Sequence, residues 1–195
     1  MKVDPEFIIF TGPMFGSKTT RLLAIVDRYQ RQNKNVVAFK PMMDNRYSKS
    51  RITTHTGGSI PALCVKKGQD VLQYIQEASL SNQGIDVIAV DEAFMIEGIS
   101  QALISAFQMG KTIIVSSLQL SATGNPFDEV KNIMPYATKI EICPAVCPVT
   151  GRDAHYTHKK SKNLDEITVG GAELYEPRCW EHHTYMNQRE ENGTC

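Results

Sequence analysis

The residues most able to do chemistry are Gly12-Pro13-Met14-Phe15-Gly16-Ser17-Lys18-Thr19. They fall one place short of the pattern G-x-x-x-x-G-K-[ST]. In that pattern backbone N–H groups surround phosphate, the lysine neutralises the β- and γ-phosphates, and the hydroxyl faces Mg²⁺. Ser17 stands at the second glycine position, and Gly16 precedes it. If that position needs positive φ, serine costs roughly 1–2 kcal/mol there. Either Gly16 makes the tight turn, or the Ser17 hydroxyl sits close to a phosphate oxygen. The plainer alternative is a strand–turn–helix corner without a ligand.

A second group is acidic. "DVIAVDE" is an apolar run that ends in Asp91 and Glu92. A buried strand ending in acid is where a nucleotide-binding sheet places the carboxylate that organises Mg²⁺. Asp91 suits the metal's hydration shell, and Glu92 suits removal of a proton from an attacking hydroxyl. Either acid alone reads equally well as a solvated strand end. A phosphate loop followed by an acidic strand end, in that order, is much rarer by chance.

The elements that must hold these residues are legible in outline. Apolar runs predict strands at 7–10, 35–40, 86–90, 112–116 and 139–143. Helical spacing of apolar residues predicts helices over 18–33, 69–80 and 96–108. Buried strands alternating with helices imply an α/β fold, a mostly parallel sheet flanked by helices. Such sheets bind ligands beyond the carboxyl ends of their strands. After residue 143 periodicity fades, and Cys, Pro, Gly, His and Tyr become frequent. The expected division is an α/β nucleotide-binding domain at 1–143 and a small lobe at 144–195. The lobe is too short to hold itself together by core burial alone, and a metal would answer that need.

Composition narrows the function. The chain has 195 residues, 42% hydrophobic and 22% charged, with a formal net charge of zero. No global field favours a polyanion, so nucleic acid is not an expected partner. Lys159, Lys160 and Lys162 read as a solvated loop. No run of about 18 apolar residues predicts a membrane span, and the first residues lack the pattern of a signal peptide. A cytoplasmic address is therefore expected. The five cysteines are Cys64, Cys143, Cys147, Cys179 and Cys195. An odd count without a signal peptide argues against a disulfide framework, and the late cluster favours metal.

Taken together, these segments resemble the type II thymidine kinases, the cytosolic, bacterial and phage-like group. The resemblance runs from about Phe7 to Tyr185. It is carried by "GPMF" with Lys18-Thr19, "KPMMDNRY" at 40–47, "THT" at 54–56 and "DEA" at 91–93, and then by "NPF" at 125–127, "AHYT" at 154–157 and "VGGAELYEPRC" at 169–179. It implies a P-loop, RecA-like domain with a zinc-ribbon-like lobe and a lasso loop over the base, at about 159–175. The implied activity is transfer of the ATP γ-phosphate to the 5′-hydroxyl of thymidine, giving dTMP.

The resemblance also implies roles. Glu92 aligns with the general base, Lys18 with the phosphate-loop lysine and Thr19 with the Mg²⁺-side hydroxyl. Asp44 and Arg46 align with an Asp-x-Arg pair near the phosphates, where an arginine could stabilise transferring charge; the plain alternative is a loop salt bridge. Met14, Leu118, Phe127, Val169, Gly170, Gly171 and Tyr175 are the nucleoside-side candidates. Core packing explains Leu118 and Phe127 equally well, and a simple turn explains Gly170-Gly171. The family also implies a homotetramer, inhibition by dTTP and a structural Zn²⁺.

Two departures from the family pattern stand out. Phe94-Met95 replaces Gln-Phe after Asp91-Glu92-Ala93, and Ala122 stands where an aromatic often packs on the base. A roomier pocket that accepts other pyrimidine deoxynucleosides is the expectation. At the metal site, Cys147, Cys179 and His182 occupy ligand positions, but Thr150 takes the fourth. Three readings remain open: Cys143 or His183 replaces it, the site is weakened, or zinc is absent. Two rival functions remain: a P-loop ATPase or nucleotide-binding regulator with a metal-stabilised lobe, and a kinase fold without turnover.

Overall fold

The structure is a computed structural model that describes residues 4–44, 50–54, 57–81, 84–160 and 170–187. In chain order it begins with β1 (Phe7–Thr11), α1 (Lys18–Arg31), β2 (Val36–Pro41), β3 (Arg51–Thr53), β4 (Ser59–Pro61) and β5 (Leu63–Val65). There follow α2 (Gly68–Leu80), β6 (Val87–Asp91), α3 (Ile99–Gln108), β7 (Thr112–Ser116), α4 (Asp128–Ile133) and β8 (Lys139–Ile142). The C-terminal segment adds β9 (Ala145–Val146), β10 (Asp153–Ala154), β11 (Tyr156–Lys159) and β12 (Tyr175–Arg178).

The main sheet has strand order β5-β2-β6-β7-β1-β8. Every strand pairing in it is parallel. This is the expected α/β architecture, with two elements the periodicity did not reveal, the edge strand β5 and the short helix α4. Alternation along the strands divides the core into two layers. Ile8 and Phe10 of β1 face Leu22 and Val26 of α1. Phe7 and Ile9 face the other way, toward Val71 and Ile75 of α2 and Ile99, Ala102 and Leu103 of α3. Both helical stripes recur at three- and four-residue spacing, so each helix lays one apolar face on the sheet.

Helix ends show why the elements stop where they do. α1 ends at Arg31, two residues short of the expected 33, because Asn33 takes a left-handed conformation at φ 57°. Asn tolerates that conformation after a helix C-terminus, and the Lys34 N–H closes on the Tyr29 carbonyl at 3.1 Å. α3 begins at Ile99 rather than 96 because a 3₁₀ turn over Ala93–Met95 comes first. The carboxylate of Glu129 in α4 accepts the N–H groups of Gly98 and Ser100 at 2.6 and 2.8 Å, which caps α3 and fastens the two helices together.

The C-terminal segment forms two two-stranded antiparallel ladders, β9 with β10 and β11 with β12. The expected lasso coincides with the connection from β11 to β12. Its residues 161–169 lie outside the described residues.

Candidate active site

Because the sheet is parallel, the carboxyl ends of β1, β2 and β6 open on one edge. Thr11 leads into the phosphate loop, Lys40 and Pro41 end β2, and Asp91 ends β6. A cavity of about 290 Å³ lies there. Its wall includes Met14 through Thr20, Lys40, Asp44, residues 52–54 of the β3 region, Asp91, Glu92 and Gly171.

The loop geometry answers the question raised by Ser17. Ser17 itself takes the left-handed conformation, with φ 58° and ψ 22°, and Phe15 does likewise at φ 66°. Gly16 is not among the positive-φ residues. Of the two alternatives raised for this loop, the one in which Gly16 takes up the strained conformation does not hold: glycine is needed there for proximity. A side-chain carbon on Gly16 would lie 2.2 Å from the Cys143 carbonyl oxygen, and one on Gly12 would lie 2.4 Å from the same atom. Two glycines thus let the loop close on the backbone at the end of β8. Pro13 accepts the Lys18 ammonium on its carbonyl at 2.5 Å, which curls the buried lysine back over the loop. α1 starts at Lys18, so the loop also faces the positive end of a helix.

The acidic group sits opposite. The Thr19 hydroxyl donates to the Asp91 carboxylate at 3.1 Å. Burial pushes the Asp91 pKa up to about 7; the Glu92 charge adds to the rise, while the Ser116 and Thr19 hydroxyls oppose it. Glu92 occupies a left-handed conformation, φ 49° and ψ 45°, at the start of the 3₁₀ turn. Such a conformation costs on the order of 1–3 kcal/mol and persists where the surroundings enforce it, often at functional sites. Here it turns the chain sharply after β6 with the Glu92 side chain on the cavity wall.

Lys40 is a site residue that the sequence reading missed. It is buried, and its ammonium lies 3.7 Å from the buried Asp44 carboxylate and 3.5 Å from the Arg51 carbonyl. The signal was a lysine ending an apolar strand, which reads as a solvated end. The Asp44 of the expected Asp-x-Arg pair is therefore held by Lys40, and Arg46 lies outside the described residues. The hairpin of β3 and β4, also missed, contributes Ile52 and Thr53 to the wall.

Mg²⁺ characteristically keeps several waters and takes one or two carboxylates with substrate phosphates. The Thr19 hydroxyl and Asp91 carboxylate, side by side on the cavity, fit that partial donor set. Zinc needs four donors. Among the described residues no three His, Cys, Asp or Glu groups come together to hold a metal ion. Cys147 and Cys179 do meet in one small cluster with Ala145 and Ala154. The Thr150 hydroxyl lies 3.7 Å from the Cys179 sulfur. Burial raises the Cys147 thiol pKa, but hydrogen bonds from the Cys179, Thr150 and Val149 amides and the Thr150 hydroxyl outweigh it and bring it down to about 6. Cys143 packs in the α1 layer instead, beside Ile8 and Leu22. His182 is exposed. His183 has both ring nitrogens engaged, with Thr157 and Tyr185. The expected set of Cys147, Cys179, His182 and either Cys143 or His183 does not fit a tetrahedral zinc.

The nucleoside-side candidates divide. Met14 and Gly171 line the cavity. Leu118 and Phe127 are buried with Phe94 and Val130, and Met14 and Met95 pack against this cluster. The Phe94 and Phe127 rings lie 4.5 Å apart, so Phe94, standing where the family has glutamine, serves the core. Tyr175 is buried at the start of β12, and Gly170 precedes the turn that carries Leu174 toward it. Val169 lies outside the described residues.

A family model described as thymidine kinase matches residues 6–183. A protein of Thermococcus kodakarensis named thymidine kinase is 36% identical over 182 residues, covering 90% of this chain and 92% of the relative. The thymidine kinase of Pyrobaculum aerophilum is 31% identical over 183 residues, with 90% and 97% covered. That of Onion yellows phytoplasma is 30% identical over 183 residues, with 90% and 85% covered. The phosphate loop, the acidic end of β6 and the Gly171 turn all fall inside the matched region, and on that match the chain belongs to the thymidine kinase family.

Proposed function

We propose that this protein transfers the γ-phosphoryl group of ATP to the 5′-hydroxyl of thymidine, giving dTMP and ADP. The observation that carries the reading is the meeting of the phosphate loop and the Asp91–Glu92 strand end on one cavity, with Gly171 in its wall. Residues 12–19, Lys18 above all, receive the phosphates; Lys18 exchanges the Pro13 carbonyl for a phosphate oxygen. Thr19 and Asp91 would hold Mg²⁺, which neutralises charge on the β- and γ-phosphates. Glu92 takes the proton of the 5′-hydroxyl, whose oxygen attacks phosphorus as the bond to ADP breaks. Asp44, set by Lys40, faces the same end of the cavity, and Arg46 stabilises the transferring charge.

On the nucleoside side, Met14 and the Gly170-Gly171 turn approach the base, with Tyr175 following the turn and Leu118 and Phe127 behind Met14; Val169 is carried over from the family pattern as a base contact. The small residue at Ala122 supports acceptance of other pyrimidine deoxynucleosides. The finer family features are carried over on the same footing: a RecA-like P-loop domain at 1–143, a separate lobe at 144–195, dTTP inhibition, a homotetramer and a cytoplasmic address. Half-exposed Ile140 and Ile142 on the edge strand β8, at 46% and 54%, support self-association. No helix among the described residues is long and apolar enough to cross a membrane. The Zn²⁺ implied by the family has no part in this reading.

Incubation with ATP, Mg²⁺ and labelled thymidine tests it. One dTMP per ADP is expected. ADP without dTMP would favour a simple ATPase, and nucleotide binding with neither product would favour a kinase fold without turnover.

A further inference from the structure

His183 is 1% exposed and lies outside the cavity wall described above. Its Nε2 is 2.9 Å from the Thr157 carbonyl oxygen, and the Tyr185 N–H reaches its Nδ1 at 3.3 Å. A carbonyl only accepts and an N–H only donates, so the ring is neutral with its proton on Nε2. Each nitrogen thus has a defined task, which a ring used for packing alone does not need.

The first bond leads to the phosphate loop. Thr157 lies in β11, and its hydroxyl accepts the Met14 N–H at 3.0 Å. Met14 lines the cavity and also packs on the Leu118–Phe127 cluster. A peptide whose N–H is held this way keeps one orientation, and so does the side chain it carries. The second route starts at the His183 carbonyl, which accepts the N–H groups of Met186 and Asn187 at 3.2 and 3.0 Å. That turn lays Met186 on Gly124, where an added side-chain carbon would meet the Met186 methyl at 2.4 Å. Gly124 belongs to the connection between β7 and α4, which also carries Leu118. Residue 183 therefore anchors two contacts of the C-terminal segment with the phosphate-loop domain, one through its imidazole and Thr157 and one through its backbone carbonyl.

We propose that His183 is a positioning residue for phosphoryl transfer, acting through the Thr157 strand on the Met14 peptide of the phosphate loop. The proposal rests on the kinase reading above. Its ring neighbours are Tyr156, His158 and Tyr185, with centroids 5.6, 5.8 and 6.3 Å away. An aromatic hydrocarbon would satisfy that packing and would make neither hydrogen bond.

The test compares His183→Phe, which keeps ring volume, with His183→Gln, which keeps an N–H donor toward Thr157, and with Thr157→Val, which keeps shape and removes the hydroxyl. Two quantities are read: kcat and KM for both substrates, and amide hydrogen exchange of a peptide covering residues 11–17. Misplacement of reacting groups by about 1 Å lowers rates by roughly a hundredfold. His183→Phe and Thr157→Val are expected to lower kcat by about ten- to a hundredfold and to speed exchange in the loop. The double variant should be no worse than the poorer single variant, and His183→Gln should recover most of the rate. A His183→Phe protein with a lower Tm but unchanged kcat and loop exchange would overturn the proposal, and so would additive losses. If His183→Phe fails to fold, Thr157→Val decides: unchanged loop exchange overturns the proposal. Loop exchange needs no turnover. A wild type that makes no dTMP, with exchange that still depends on His183, would sink the kinase reading and keep the link to the loop.

Discussion

The carbonyl oxygen of Cys143 stands so close to Gly16 that a side-chain carbon on that glycine would lie 2.2 Å from it. The contact joins the end of β8 to the phosphate loop through backbone alone, so neither side can yield by turning a side chain. Gly16→Ala must move the loop or the strand. Overpacking of this kind costs typically 1–3 kcal/mol. The expected outcome is a lower Tm and at least a tenfold loss of ATP affinity in calorimetry, an estimate that follows if about 1.4 kcal/mol falls on the binding state.

Ser17→Gly should act in the opposite direction. Serine at φ 58° bears a left-handed penalty of roughly 1–2 kcal/mol. Glycine removes it and gives back roughly 0.5–1 kcal/mol through the greater freedom of the unfolded chain. A net gain of about 0.5–1 kcal/mol is expected, or a rise of about 1–4 °C in Tm for a chain of this size. ATP affinity should stay within about threefold, because the change is to a residue the loop conformation already favours.

Asp91 gives a pH dependence with a definite sign. Its folded pKa is raised from 3.8 to about 7, chiefly by burial. Between those values the folded protein keeps a proton that the unfolded chain releases, so the contribution of this group to stability falls as pH rises from about 4 to about 7. Below that window the cost is absent; above it the cost is complete. Asp91→Asn removes it. In metal-free protein the variant should gain stability over wild type by roughly 2–4 kcal/mol at pH 8 and by much less at pH 4, as read from urea unfolding. A constant difference across that range would contradict the assignment.

Cys147 and Cys179 supply two sulfurs, and Thr150 brings a hydroxyl where a third thiolate would complete more of a zinc set. Protein purified without chelator should hold less than about a tenth of an equivalent of zinc, since tight sites need four such donors. Thr150→Cys should raise the bound zinc several-fold. A full equivalent in the wild type would show that the donors converge in solution.

The proposed nucleoside pocket gives a specificity prediction. Phe94 packs in the core at a tilt against Phe127, and Ala122 leaves only a methyl group at its position. Deoxyuridine and deoxycytidine are expected to be phosphorylated with kcat/KM within about a hundredfold of thymidine, because small changes in an apolar pocket discriminate by roughly 10–200-fold. Ala122→Phe should sharpen the preference. Discrimination far beyond that range in the wild type would contradict a roomy pocket.

Much of this site was legible because its residues end strongly apolar strands. Glycines, Lys18 and Thr19 follow Phe7–Thr11, and Asp91 and Glu92 close the run through Val90, so pattern and chemistry pointed to one place. Lys40 also ends a buried strand, but a lone lysine there gives no sign that Asp44 and a carbonyl await it inside. The β3–β4 hairpin and α4 span only three to six residues per element, too few for periodicity to register. Cys143 and Cys147 stand four apart, and nothing in that spacing tells that one packs beside α1 and the other beside Cys179. The close approach of Gly12 and Gly16 to the Cys143 backbone likewise depends on where the end of β8 lies, which only the assembled fold decides.

Glu92 as general base is tested most directly by the rate of the chemical step in Glu92→Gln, measured by rapid quench with saturating ATP, Mg²⁺ and thymidine. Glutamine keeps the size of Glu92 and cannot take the 5′-hydroxyl proton. A loss of about 10²–10⁴-fold in that rate is expected, the range for a general base, with ATP affinity nearly unchanged. A wild type that makes no dTMP, or a variant whose chemical step stays within about tenfold of it, would rule out Glu92 as the base of a thymidine phosphorylation.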